Sequence, residues 1–205
     1  MVKVNMKLWL TIFLVMIMLT SLLYHGETPI YFIDYGAQPL LAKMTYFGLL
    51  MSPILIIIGN IAIWQTGAYL NRLIRVDNIL KLVIVSYFKN LMLVIAAVAL
   101  ISVGNQLLLN TEQLLPTVNL FVSYSLYVAV YMLLEALFNS GTAILMISGV
   151  LLILVIGSGN FGLLGTIVFQ TCDAFWQPIV TIFGTGVVLI ILYKTIQKKD
   201  FYGEG

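Results

Sequence analysis

Residues 91–109 read LMLVIAAVALISVGNQLLL, nineteen positions without one charged side chain. About 20 predominantly apolar residues in a helix cover the hydrocarbon core of a bilayer, and roughly 17 suffice at low tilt. Five other stretches meet the same length test, at about 8–24, 46–64, 120–138, 142–156 and 178–193. The expected fold is therefore an all-α integral membrane protein with about six transmembrane helices, forming a single transmembrane domain over residues 1–205. The composition agrees: 61% of residues are hydrophobic and 9% charged, against roughly 25% charged in soluble domains. The connections between spans leave no room for a separate soluble domain.

Basic residues orient the spans, because Lys and Arg accumulate in short cytoplasmic loops while acids count for little. With the amino terminus inside, Lys3, Lys7, Arg72, Arg75, Lys81, Lys89, Lys194, Lys198 and Lys199 fall on the cytoplasmic side and only Lys43 lies outside. The expected location is a bacterial plasma membrane, multi-pass, with both termini cytoplasmic. Met1 to Lys7 followed by an apolar run has the look of a secretory signal, but no small-x-small cleavage site follows, so the run is read as a retained first helix. Tyr24, Tyr31, Phe32 and Trp176 occupy places expected for an interfacial aromatic belt.

Two connections are too long and too apolar for simple turns. Residues 157–177, GSGNFGLLGTIVFQTCDAFWQ, combine a Gly-rich break with an apolar run too short to cross. A re-entrant or interfacial half-helix hairpin before the last span is expected, since broken backbone at membrane depth is tolerated only when buried in protein or facing a wet cavity. Residues 65–90, QTGAYLNRLIRVDNILKLVIVSYFKN, are partly amphipathic. At 100° per residue Leu73, Val76, Leu80 and Val83 share one face, with Asn71, Arg75 and Asn78 near the other. An amphipathic cytoplasmic helix is expected there, lying along the inner interface or against a soluble partner.

Chemistry-bearing motifs are sparse. Gly157-Ser158-Gly159-Asn160-Phe161-Gly162 spells a dinucleotide fingerprint, but without the strand, helix and βαβ setting that motif requires it reads as a helix break. No Walker A sequence occurs, so ATP hydrolysis is not expected of this chain. The one histidine, His25, falls at an outer membrane edge and the one cysteine, Cys172, has no activating base in view. No zinc set can be assembled from them, and a net charge of +2 without a basic stripe argues against nucleic acid. No catalytic, cofactor-binding or metal-binding residues are assigned. Glu135 is the acid at the edge of a span: it either reaches interfacial water and pairs with Arg72 or Arg75, or is a functional intramembrane acid. Asn60, Asn105, Gln106 and Asn119 are candidates for hydrogen bonds between helices.

Six spans, the basic segment beginning Tyr69-Leu70-Asn71-Arg72-Leu73-Ile74-Arg75 between spans two and three, the half-helix hairpin within 161–177 and the basic tail Lys198-Lys199-Asp200-Phe201 together resemble the small permease subunits of type-2 ABC exporters, of the bacteriocin, lantibiotic and modulin export or immunity type. The resemblance implies a permease that exports a hydrophobic or amphipathic peptide, without enzymatic activity or a cofactor of its own. ATP and Mg would sit on a separate ATP-binding cassette ATPase subunit, and a second permease subunit, identical or not, would complete the pathway in the lipid bilayer. The resemblance also implies that the loop after span two docks on the ATPase, making Arg72, Arg75, Asp77, Asn78 and Lys81 the expected coupling residues. Two other readings stand beside it. One is the substrate-binding subunit of an energy-coupling-factor vitamin transporter, although LWLTIFLVMIMLTSLLY in the first helix lacks the Ala-xxx-Ala docking pattern of that group. The other is a non-transporting immunity or scaffold protein.

Overall fold

The computed structural model describes residues 40–60, 79–109, 114–156 and 177–198, and these are helical apart from short turns. In chain order they form α1 (Leu40–Ile54), a 3-10 turn (Leu55–Ile57), α2 (Ile79–Leu109), α3 (Leu114–Leu137), α4 (Ser140–Ile156) and α5 (Gln177–Lys198). The expected first span at 8–24 and the hairpin expected at 157–177 fall outside the described residues, apart from Gln177 at the start of α5.

Helices α2, α4 and α5 each bury one stripe. On α2 it runs Val83, Tyr87, Asn90, Val94, Ala97 and Val98; on α4, Ala143, Ile147, Leu151, Leu154 and Val155; on α5, Thr181, Thr185, Leu192 and Ile196. Steps of three and four residues keep such positions on one face of a 3.6-residue helix. The opposite faces are as apolar as the core: Leu145, Val150 and Ile153 on α4, and Ile179, Ile182, Phe183, Val187 and Ile190 on α5, are all exposed. Soluble monomers rarely present apolar patches larger than a few hundred Å². Two helical segments, Ile79–Ala99 and Pro178–Gln197, are long and apolar enough to cross a membrane, and Phe121–Leu137 and Ser140–Ile156 are shorter apolar helices.

Two boundaries differ from the sequence expectation for physical reasons. The span expected at 46–64 is shifted toward the amino terminus: the helix begins at Leu40 and the regular helix stops at Ile54. Pro53, within its last turn, lacks an N–H for the i−4 carbonyl and its ring crowds that carbonyl. The chain tightens into the 3-10 turn and then reverses through Ile58 (φ −56°, ψ 132°) and Gly59 (φ 75°), with Asn60 N–H donating to the Ile57 carbonyl at 3.1 Å. Those angles make a type II turn, whose third position needs positive φ and therefore favours glycine.

The second difference concerns residues 79–90. Expected as the end of a separate interfacial helix, they are the first three turns of α2, continuous with the span through Leu109. Val83 is buried as part of the α2 stripe, whereas Leu80 is exposed, so the apolar face expected from Leu80 and Val83 together is divided. At 1.5 Å per residue the 31 residues of α2 extend about 46 Å, well beyond the ~30 Å hydrocarbon core. Lys81 and Lys89, both exposed on those first turns, have stems long enough to carry their ammonium groups to an interface.

The hydrogen bonds between helices fix the relative direction of α1 and α3. Tyr124 Oη donates to the Leu50 carbonyl at 3.1 Å, and Gly59 N–H donates to Glu135 Oε1 at 2.8 Å. Contacts advance along both chains in the same order, so α1 and its 3-10 extension run parallel to α3. The strongest helix pairing, α3 with α5, places Thr185 Oγ1 3.3 Å from Ser125 Oγ. Both hydroxyls also face carbonyls of their own helices, at 2.6 Å to Val122 for Ser125 and 2.8 Å to Thr181 for Thr185. With one proton each, the mutual contact competes with those bonds.

Candidate functional site

The polar features of the bundle gather around one acid. Glu135 is fully buried in the last turn of α3, where the negative end of its own helix is an unfavourable place for a carboxylate. A two-residue connection, Phe138 and Asn139, offsets this by bringing the amino-terminal end of α4 alongside. Asn139 caps that end: its Oδ1 accepts from Thr142 N–H at 2.7 Å and from Thr142 Oγ1 at 2.8 Å, a capping arrangement that satisfies an otherwise orphaned donor. Ser140, the first residue of α4, then donates its hydroxyl to Glu135 Oε1 at 2.6 Å.

The same oxygen takes the Gly59 N–H. One carboxylate thus ties together the turn that ends α1, the last turn of α3 and the first turn of α4. Tyr131, one helical turn before Glu135 on α3 and likewise buried, brings its side chain beside the Glu135 carboxylate and the Gly59 backbone. Its Oη completes no well-formed hydrogen bond there, and neither does that of Tyr127 a turn earlier. Adjacent to Gly59, Asn60 Nδ2 donates to Asn90 Oδ1 on α2 at 2.9 Å. Further along, Tyr87 Oη donates to the Ser125 carbonyl at 3.2 Å.

Of the residues singled out from sequence, Glu135 is inside this cluster, but not as a side chain reaching interfacial water: it is buried and held by backbone and hydroxyl donors. Asn60 acts between helices as expected. Lys81 lies exposed on the first turn of α2 and is not part of the cluster. Arg72, Arg75, Asp77 and Asn78 fall outside the described residues, as do His25 and Cys172; Asn105, Gln106 and Asn119 lie on α2 and α3 with side chains that are not described. Three participants escaped the sequence reading. Gly59 carried a signal, a glycine six residues after Pro53 within an otherwise helical pattern. Asn90 reads as a loop end from sequence, and Ser140 is an ordinary helix-start residue whose partner only the fold reveals.

Among the described residues no group of His, Cys, Asp and Glu could hold a metal ion. Oε1 of Glu135 faces donors, an arrangement that suits an anionic acceptor more than a cation ligand. The cluster joins three chain segments through one oxygen. In comparisons with known proteins, no family model, no curated protein and no solved structure matches the chain.

Proposed function

We propose that this chain is the membrane-spanning permease subunit of an ABC transporter in a bacterial plasma membrane, moving a hydrophobic or amphipathic peptide outward with energy from a separate ATPase subunit. In this reading the protein is multi-pass with about six spans, both termini are cytoplasmic, and a second permease subunit completes the pathway. The apolar outer faces of α4 and α5 support the membrane setting, since lipid accepts such surfaces where water does not. The observation that carries the coupling part is the junction at Gly59. Residues 61–78, which include Arg72, Arg75, Asp77 and Asn78, connect Asn60 to the start of α2 in the chain. Asn60 and Asn90 are bonded to each other at 2.9 Å. A segment tied at its base in this way delivers a push on its polar residues to the bundle.

Isolation of the tagged chain from bacterial membranes in mild detergent tests the reading. An ATP-binding cassette ATPase is expected to copurify, with hydrolysis stimulated by an amphipathic peptide. Reversing the charges together, Arg75→Asp with Asp77→Lys, conserves net charge and so preserves attraction to anionic lipid, but is expected to weaken ATPase recruitment severalfold. A bound vitamin in place of the ATPase, or no ATPase at all, overturns the proposal.

A further inference from the structure

Three candidates emerge outside the segment already assigned to coupling: the hydroxyls of Tyr127 and Tyr131, the Ser125–Thr185 hydroxyl pair, and the three-way junction at Glu135. The tyrosine hydroxyls have no bound group beside them that would name a ligand, and the Ser125–Thr185 pair is satisfied by its own helices. The junction goes further. We propose that Glu135 is a positioning residue, a latch through which displacement of the Gly59 turn is passed to the α3–α4 hairpin.

This inference rests on the coupling role given to residues 61–78. Its geometry is specific. Gly59 N–H and Ser140 Oγ–H converge on a single oxygen, at 2.8 and 2.6 Å. The Gly59 turn therefore cannot move away from α3 without giving up a buried hydrogen bond and leaving its donor without an acceptor. On the far side of the turn, Asn60 holds α2, so the displaced unit comprises the turn and the first turns of α2. On the near side, Asn139 caps α4 itself and the Ser140 hydroxyl ties that end to Glu135 on α3, so α3 and α4 move together as a hairpin. The glutamate is an acceptor that both units share through one oxygen. Burial keeps water from substituting for either donor.

The experiment uses the complete complex in membranes or nanodiscs, with three variants: Ser140→Ala, Glu135→Gln and Glu135→Leu. Thermal unfolding and ATPase copurification are measured beside the ratio of peptide-stimulated to basal hydrolysis. Glutamine retains an acceptor oxygen at the same place, so E135Q is expected to stay within about twofold of wild type in that ratio. S140A, which removes one donor and leaves Gly59 in place, is expected to lower it severalfold while recruiting the ATPase normally; E135L is expected to abolish stimulation. Rescue by glutamine separates a latch from a requirement for charge. Wild-type stimulation ratios in S140A and E135L, or losses that track only the amount of folded protein, overturn the latch. Failure of the wild-type chain to recruit an ATPase overturns instead the coupling role on which it rests.

Discussion

Gly59 and Glu135 lie 76 residues apart in sequence, yet the glycine N–H and the carboxylate Oε1 are 2.8 Å apart in the fold. The bond depends on backbone shape as much as on the acid. At φ 75° the glycine turns its peptide N–H toward α3 at a point where a residue with a side chain is strained. Gly59→Ala is therefore expected to destabilise the protein by about 1–2 kcal/mol, the cost of a left-handed conformation for an L-residue, seen as a lowered Tm in detergent or lipid. A matched substitution at Gly149, where an added Cβ meets nothing within 4 Å, is the control and is expected to leave Tm unchanged or raise it. An unaltered Tm for Gly59→Ala would mean that the turn relaxes freely and that the bond to Glu135 is not held by glycine geometry.

The bond between Asn60 and Asn90 gives a direct test of packing. With Cys172→Ser as background, Asn60→Cys with Asn90→Cys is expected to be joined by a short bifunctional thiosulfonate, because side chains whose amide ends meet at 2.9 Å leave the Cβ atoms beyond the roughly 4 Å of a disulfide but within the reach of one short spacer. Asn60→Cys with Val85→Cys is expected not to crosslink, since Val85 faces outward on α2. Equal crosslinking of the two pairs would show that α2 does not keep this face toward the turn.

The α2 register shows where sequence reasoning ended. Hydrophobic length located helices in the regions of α1 to α5, because a run of apolar residues at helical spacing has few other uses in a chain this poor in charge. It could not fix the ends. Residues 79–90 carry Lys81 and Lys89, which reads as a loop when charge is taken to mark a boundary, although long lysine stems permit a helix to continue through them. Pro53 was similarly available as a stop signal, but the run IAIW at 61–64 extended the apolar count past it. Of the junction, the acid was visible and its partners were not. A backbone N–H and a serine hydroxyl have no distinguishing residue type, and their convergence is produced by the parallel arrangement of α1 and α3.

Exposure on α5 separates a lipid surface from a buried one on a single helix. Phe183, at 74% exposed, and Ile182, at 61%, lie on the outer face, whereas Thr181 and Thr185 are buried. Spin labels at Phe183→Cys and Ile182→Cys in bilayers are expected to relax strongly with oxygen and weakly with a water-soluble nickel chelate. Labels at Thr181→Cys and Thr185→Cys are expected to be shielded from both. High nickel accessibility along the outer face would place it in water and remove the membrane assignment of α5.

Topology follows from joining the charge distribution to the direction of the helices. Because α1 and α3 are parallel, their carboxyl-terminal ends share one side, and α4 returns from that side after the turn at Phe138 and Asn139. The proposed topology, in which excess Lys and Arg marks the cytoplasmic side, makes that side cytoplasmic, with Lys81 on it and Cys172 expected outside. In a Cys172→Ser background, Phe138→Cys and Lys81→Cys are expected to resist an impermeant maleimide added to intact cells and to label fully once the membrane is opened. Phe138 is chosen because it is exposed and leaves the Asn139 cap intact. Native Cys172 is expected to react from outside without permeabilisation. Labelling of Phe138→Cys and Lys81→Cys from outside intact cells, with Cys172 protected, would invert the protein in the membrane. The segment proposed to meet a cytoplasmic ATPase would then face the wrong compartment, and the permease assignment would fall with it.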